Sequence, residues 1–394
     1  MPEAFKKIRS DETLNILHIC SDFAKQKLYA HLVTHLAEIN INQVIYAAVR
    51  SEKEARYSPP ALTRDIPHFI RHILGKQHRI LFRTKIKKAY NDLRNFVDLS
   101  SVDVVHSHFL FSDGAVALKI KKQYGIPFIV AVRNTDINGF MRLRPDLFMV
   151  RNKILKEASR IVFISPAYQK TFAALIGSGI CDEVYRKSIV VPNGIEKSWL
   201  SESHVSSLPH DNTLRILYVG DFSNNKNVYR LIHATLHLSA KRAVKLTLVG
   251  GGGNGEKAVK KLLASGKYEF IEYLGKIDDR EKLQSIYRQH DLFVMVSFVE
   301  TFGVVYIEAL SQGLPIIYSR GQGVDGYFES HTVSEAANPY DFADIGQKIE
   351  ILANRLDKVR QECIMQAKRF EWCKVAENYK NIYIETIHGA TKRN

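Results

Sequence analysis

The sequence predicts an α/β chain built on two parallel sheets, each covered by helices on both faces. Three observations predict it. Short β-branched runs alternate with helical stretches along the chain, which is the rhythm of βα units feeding a parallel sheet. The rhythm restarts after residue 196. The length, 394 residues, exceeds the roughly 100–200 residues of an ordinary domain.

Taken in order, Leu14–Ile19 reads as the first strand. Phe23–Ile39 reads as a helix, with Leu28, Leu32, Leu36 and Ile39 at near-helical spacing. Gln43–Val49, Val102–His106, Phe128–Val132, Arg160–Ile164 and Ser188–Val191 are the next strands. Ser201–Asn212 has only Val205 and Leu208 as aliphatics and is otherwise polar, a linker composition. Beyond it, Leu214–Val219, Lys245–Val249, Phe270–Leu274, Leu292–Val296 and Pro315–Tyr318 read as strands. Trp372–Ile387 places Val375, Tyr379, Ile382, Tyr383 and Ile387 at helical spacing, with Trp372 and Tyr379 as core aromatics.

The composition, 45% hydrophobic and 25% charged, is that of a soluble globular chain and excludes a disordered, collagen-like or disulfide-stapled class. No apolar run reaches the roughly 18–20 residues of a membrane span. Met1–Ser10 lacks the apolar core of a signal peptide. Cys20, Cys181, Cys363 and Cys373 form no CxxC pair or zinc pattern and read as reduced thiols. The expected location is the cytoplasm.

The net charge of +15 is unevenly spread. Residues 1–190 carry 30 Lys and Arg against 17 Asp and Glu, and the remainder 26 against 24. The excess is densest from Arg64 to Arg94, where Ile70, Ile73, Leu74, Ile80, Leu81, Phe82 and Ile86 are interleaved with the cations. Such a mixture suits an amphipathic helix on an anionic membrane surface. It equally suits a solvated helix whose apolar side enters a core. A nucleic-acid patch is the third reading, but no nucleic-acid motif accompanies it, and nucleic acid is not an expected partner.

The most informative segment runs from Ser297 to Pro315. It follows a strand, opens a helix, and carries Glu300 and Glu308 eight residues apart. Between them, the amides of Phe302, Gly303 and Val304 are the orphan donors of a helix N-terminus, an anion site. The order is carboxylate, anion-binding amides, carboxylate. A sugar nucleotide has the order hexose hydroxyls, diphosphate, ribose hydroxyls, and carboxylates accept well from vicinal diols. Gly303 stands where a backbone must approach closely.

This segment resembles the Glu-x7-Glu signature of retaining glycosyltransferases of the GT-B fold, most closely glycosyltransferase family 4. Companion motifs stand in order. Val190-Val-Pro-Asn-Gly-Ile-Glu196, with Asn193, resembles the interdomain segment. Tyr218-Val-Gly-Asp-Phe-Ser-Asn-Asn-Lys-Asn227, with Gly220 and Lys226, resembles the loop that opens the second domain. Leu246–Gly253 resembles the glycine turn, and Tyr273-Leu-Gly-Lys-Ile277, with Lys276, the base-binding turn. Phe370-Glu-Trp372 and the last helix resemble the segment that crosses back to the first domain.

The resemblance implies two Rossmann-like domains facing a cleft, 1–196 with 372–394 returning to it, and 197–371 for the nucleotide sugar. It implies that Glu308 binds the ribose diol, that Glu300 contacts the transferred sugar, and that Lys226 with residues 301–304 (Thr301, Phe302, Gly303 and Val304) holds the diphosphate. A fixed cation and helix amides there would stabilise charge building on the leaving group. No metal is implied, and the sequence contains no Asp-x-Asp. The implied donor is UDP- or GDP-linked and serves as co-substrate, with no further cofactor.

Three places depart from the family pattern. Asp221 stands where an arginine is usual, with Arg280 and Arg320 as substitutes to consider. Ser21-Asp22-Phe23-Ala24 replaces a Gly-Gly turn. Arg133 replaces an active-site histidine and could stabilise anions. Asp136, at a strand end where open α/β sheets bind ligands, is the candidate acceptor-side carboxylate, or else a helix cap. His106 and His108 suggest a metal by their spacing, but no Cys, Asp or third His is placed to complete a site, and His108 is read as an interdomain-cleft residue on the donor side.

The expected function is therefore retaining sugar transfer from a nucleotide sugar to a hydroxyl of a glycan or lipid-linked acceptor in cell-surface polysaccharide or lipopolysaccharide synthesis. The basic first domain would face the acceptor and the anionic inner face of the membrane. The alternatives are a nucleotide-sugar 2-epimerase and a non-catalytic nucleotide-sugar or glycan-binding subunit of a larger assembly.

Overall fold

The computed structural model describes residues 13–56, 63, 65–200, 211–329 and 331–391. Met1–Ser10, Arg64 and residues 201–210 of the linker lie outside them. The chain divides into two compact units. The first holds the chain up to Ile164, Gln169–Pro192 and everything from Trp372 onward; the second holds Ser165–Tyr168 and Asn193–Glu371.

The first unit is built on strands β1 (Asn15–Ile19), β2 (Asn42–Val49), β3 (His68–His72), β4 (Val104–Ser107), β5 (Phe128–Val132), β6 (Arg160–Phe163) and β7 (Ser188–Val190). They pair in parallel in the order β3-β2-β1-β4-β5-β6-β7. Strands covered on both faces read as near-continuous apolar runs, and all five residues of β5, Phe-Ile-Val-Ala-Val, are buried. One face packs Ile16, Val104, Ile129 and Val162 against Leu32 and Leu36 of the helix Lys27–Glu38 and against Trp372, Tyr379 and Tyr383 of the helix Trp372–Thr391. The closing helix thus completes the core of the first unit, as the resemblance implies.

The second unit contains β8 (Leu214–Gly220), β9 (Val244–Gly250), β10 (Ile271–Gly275), β11 (Leu292–Val294), β12 (Ile316–Ser319) and β13 (Ser334–Ala337). These are also parallel, in the order β10-β9-β8-β11-β12-β13. In both sheets the strand order reverses beside the first strand of the unit. That reversal leaves a crevice at the strands' carboxyl ends, where doubly wound sheets take their ligands. The reversals lie between β1 and β4 and between β8 and β11.

The basic stretch differs from expectation. It is not one amphipathic helix but the edge strand β3, a single 3-10 turn at Lys76–Arg79, and the helix Phe82–Leu93. His68-Phe-Ile-Arg-His72 pairs with Ile45–Val49, and charge on an edge strand protects it from further pairing. The helix turns Phe82, Ile86, Ala89, Tyr90 and Leu93 into the core and leaves Arg83, Lys87 and Lys88 outside. Its apolar stripe is therefore occupied by its own unit. Strand β13, Ser-Glu-Ala-Ala, escaped the sequence reading because it has no β-branched residue.

Candidate donor site at the carboxyl ends of β8 and β11

The loop after β8 is shaped by its own polar groups. The Tyr218 hydroxyl donates to the Asp221 carbonyl at 2.6 Å, and the Asp221 carboxylate accepts from the Ser223 amide at 2.7 Å. Asp221 is thus a turn former, which accounts for an acid where the family pattern has a base. The loop ends at Asn227, whose φ of 57° is left-handed, before the helix Val228–Ser239. Where β8 and β9 end, Gly220 and Gly250 touch: a Cβ on Gly250 would lie 1.9 Å from the Gly220 carbonyl oxygen. Only glycine fits there.

Two asparagines stitch this loop to the one after β11. Asn225 donates through Nδ2 to the Val299 carbonyl at 2.9 Å and accepts from the Val299 amide at 3.0 Å. Asn227 donates to the carbonyls of Val296 and Pro339 at 2.9 and 2.8 Å. The result places Lys226 Nζ 2.7 Å from Glu300 Oε2, with the glutamate side chain 9% exposed. Glu300 Oε1 accepts from the Thr301 amide at 3.1 Å. The Glu300 amide donates to Gln322 Oε1 at 3.1 Å, and its carbonyl accepts from the Gly323 amide at 2.9 Å.

Gly303, with φ of 77°, then caps the helix Val304–Ser311. The amides of Phe302, Gly303 and Val304 find no acceptor among the described residues. The Phe302 ring itself is buried against Tyr327 and Phe370. One turn further on stands Glu308, to which the Tyr287 hydroxyl donates at 3.5 Å. Burial pushes the Glu308 carboxyl up to about 7; Tyr287 and Arg280 pull it down.

Arg280 is not a phosphate ligand in waiting. Its guanidinium is held by both oxygens of Glu196 at 2.7 Å and by Ser198. Arg320 reaches toward Asp344 at 3.8 Å. Lys276, past β10, is exposed and pairs with Asp278 at 2.6 Å. Asn193 opens the second unit beside Ile195, whose amide donates to the Phe370 carbonyl at 2.8 Å.

Two models of known families match the chain. "Glycosyltransferase Family 4" matches residues 27–199, and "Glycosyl transferases group 1" matches 201–370. The chain belongs to glycosyltransferase family 4. Among relatives, an uncharacterized glycosyltransferase of Methanocaldococcus jannaschii is 23% identical over 362 residues, 90% of this chain and 92% of that one. Sucrose-phosphate synthase from Thermosynechococcus elongatus shares the fold at a TM-score of 0.72 and 18% identity, over 95% of this chain and all of that one. The lipopolysaccharide outer core galactosyltransferase WaaB, in its apo form, does so at 0.71 and 18%, over 93% and 98%. The fold is GT-B.

The first unit of the glycosyltransferase turns three of the assigned residues inward. Asp136 is buried, and its carboxylate accepts from the amides of Leu110, Phe111 and Arg133 at 3.1, 3.3 and 2.9 Å. It ties the loop after β4 to the loop after β5 and is a positioning group. Burial pushes it up to about 6 against those three bonds. Arg133 turns inward to the Tyr379 hydroxyl, and its Nε is buried without a partner. His108 is 1% exposed, so it offers no surface to a donor.

A third histidine, unforeseen because it lies on another strand, joins His106 and His108. His18 and His106 are register partners on β1 and β4. The three rings place ligating nitrogens within 4.8 Å of one another. His18 Nδ1 pairs with His108 Nε2 at 3.0 Å, and His106 Nδ1 with the Tyr383 hydroxyl at 2.8 Å. Burial pushes His18 down to about 3 and the other two well below their ordinary value. They are neutral, hydrogen-bonding rings under the closing helix. The sequence reading also missed Asn225, Asn227 and Gln322. An Asn-Asn-Lys-Asn run after a strand was the available signal for the first two.

Proposed function

We propose that this glycosyltransferase moves a sugar from a nucleotide-sugar donor to a hydroxyl of a glycan or lipid-linked acceptor, with retention of anomeric configuration and without a metal ion. The observation that carries the reading is the arrangement along one loop and helix. The Lys226–Glu300 pair at 2.7 Å is followed by three unbonded amides and then by Glu308. A diphosphate on the amides and Lys226 would put the sugar on Glu300 and the ribose on Glu308. The anomeric carbon–oxygen bond to phosphate breaks as the bond to the acceptor oxygen forms, and the hydroxyl proton passes to the leaving phosphate. Lys226 and the amides stabilise the charge on that phosphate. Likeness to a lipopolysaccharide outer core galactosyltransferase supports an acceptor in cell-surface glycan synthesis; the reaction is proposed to take place in the cytoplasm, at the membrane's inner face.

Thermal unfolding with UDP-, GDP-, ADP- and dTDP-sugars tests this on the wild type and on Glu308→Ala. A ligand at about 100 times its dissociation constant adds roughly 2.7 kcal/mol, a shift of a few degrees. One base class should shift the wild type and not the variant. Nucleotide release from that donor should vanish in Glu300→Ala. A shift without release in any acceptor mixture would favour a non-catalytic binding subunit.

A further inference from the structure

Three imidazoles meet inside the first unit, at the seam between β1 and β4. His18 and His106 are register partners on the two strands, and His108 follows the end of β4. All three are buried. Among the described residues they are the one group of three or more His, Cys, Asp or Glu whose ligating atoms gather within 4.8 Å.

Their hydrogen bonding is incomplete. His18 Nε2, His106 Nε2 and His108 Nδ1 are buried with no partner among the described residues. Buried polar atoms are nearly always bonded, so three orphans in one cluster require a cause. Stacking is not that cause. His106 and His108 lie face to face with centroids 4.0 Å apart, but stacking uses the ring faces and leaves the in-plane nitrogens unanswered.

The bonds that do exist resemble those around a ligating histidine, whose second nitrogen is held by an outer group. His106 Nδ1 meets the Tyr383 hydroxyl at 2.8 Å, which leaves the lone pair of Nε2 available. Gln43 neighbours the His18 ring, and its Oε1 has no partner of its own. His18 Nδ1 and His108 Nε2 lie 3.0 Å apart. Two nitrogens on one tetrahedral ion, each about 2.0–2.1 Å from it, stand roughly 3.3 Å apart.

We infer that His18, His106 and His108 bind one metal ion with a filled d shell, Zn2+ or Cu+, as a structural clamp. Imidazole suits both ions, and neither has a d-electron preference to impose on a geometry set by packing. Charge favours the monovalent one. No carboxylate or thiolate is grouped with the rings among the described residues, and the Arg133 guanidinium is near enough to act on His106 and His108. A buried charge in such surroundings is costly, and a double one more so. The ion ties β1 to β4 at the reversal point and, through Tyr383, both strands to the closing helix. It takes no part in the proposed transfer, whose residues Lys226, Glu300 and Glu308 belong to the second unit.

The test uses the full chain, made without a histidine tag in medium supplemented with zinc or with copper. The copper protein is purified without oxygen. Elemental analysis after passage through a chelator should find one ion per chain, and the loaded chain should melt several degrees above the ion-free one. His18→Gln and His108→Gln should lose the ion. His331→Gln, at an exposed histidine in the second unit, should keep it. Tyr383→Phe should release it to the chelator at least about tenfold more readily, as expected when an outer partner is removed. Should the buried variants fail to fold, X-ray absorption on the loaded wild type reads the ligands directly and should show imidazole nitrogens alone among the protein ligands. Zinc held more tightly than copper would keep the site and discard the charge argument. A folded chain without an ion from either medium, an ion kept by both His18→Gln and His108→Gln, or a spectrum of carboxylate or sulfur neighbours overturns the inference. The orphaned nitrogens would then belong to buried water.

Discussion

Lys226 and Glu300 hold each other at 2.7 Å across 74 residues of sequence. In the proposed reaction they have different partners, the diphosphate and the sugar. A bound diphosphate must therefore compete with Glu300 for the ammonium. Charge-assisted bonds of this kind are the strong ones. In Glu300→Gln the lysine is released to the phosphate, so affinity for the free nucleoside diphosphate should be kept or tightened, by up to about tenfold on the scale of a single such bond. Transfer should fall by at least about a hundredfold, the usual consequence of losing a group that acts on the transition state. Calorimetric titration with the diphosphate and a product assay read the two effects. Loss of both together would mean that Glu300 only builds the loop.

Glu308 should give donor binding a pH dependence. Its carboxyl is pushed up to about 7 by burial, and a carboxylate accepts from a diol where the neutral acid accepts less well. Donor affinity should rise with pH through about 7 and level off above it. Stability should move the other way. A raised folded value favours the protonated folded state, so this contribution is complete below the unfolded value and lost as pH rises through about 7. Glu308→Gln should remove both trends, with weak donor binding at every pH and a flatter melting curve between the unfolded value and about 7. Titrations and melts at three pH values suffice. A donor affinity independent of pH in the wild type would sever Glu308 from the ribose.

The first of these groups was legible in the sequence and its neighbours were not, for a physical reason. Glu300, Gly303 and Glu308 lie on one continuous loop and helix, so their spacing is local and appears in the chain. Strands such as Phe128–Val132 were equally plain, because a strand covered on both faces must be apolar throughout. By contrast, Asn225 meets Val299 across 74 residues, and Gln322 meets Glu300 across 22. Such partners are chosen by strand order, which composition does not disclose. His18 joined His106 and His108 by the same route, through the pairing of β1 with β4. Lys85 was hidden for the opposite reason. It sits among exposed cations in sequence, and only the packing of its helix on Ser112–Tyr124 takes it out of water.

Gly303 should be intolerant of any side chain. Its φ is 77°, and a Cβ there would lie 2.4 Å from the Tyr306 ring. That ring is buried, with its hydroxyl donating to the Met295 carbonyl at 2.6 Å, so it cannot swing aside. Gly303→Ala combines a left-handed residue with a clash, and a loss of about 2–4 kcal/mol is expected. For a domain of this size that is a drop in melting temperature of roughly 5–15 °C. Gly321→Ala provides the contrast, since its φ is 74° but nothing lies within 4 Å of the added carbon. It should lose only the strain, about 1 kcal/mol. Equal losses in the two would show that backbone strain alone, and not the fit against Tyr306, sets the position.

Asp136 separates a positioning role from a catalytic one. Three backbone amides converge on its carboxylate, so Asp136→Ala would leave them buried without an acceptor. At about 1–3 kcal/mol for each stranded group, the chain should lose several kcal/mol and melt at least 10 °C lower. Asp136→Asn keeps one acceptor oxygen and should fold at a smaller loss. Burial raises this carboxyl to about 6, so its share of stability is complete below the unfolded value and is lost as pH rises through about 6. In Asp136→Asn that part of the pH dependence should disappear from the melting curve. The rate should behave differently. A group that only ties two loops together lowers the amplitude of the pH–rate profile and leaves its shape intact, whereas a base takes a limb of the profile with it. An acid limb near pH 6 in the wild-type rate that is absent from Asp136→Asn would return Asp136 to the chemistry; unchanged limbs would keep it in the frame that aligns the ends of β4 and β5.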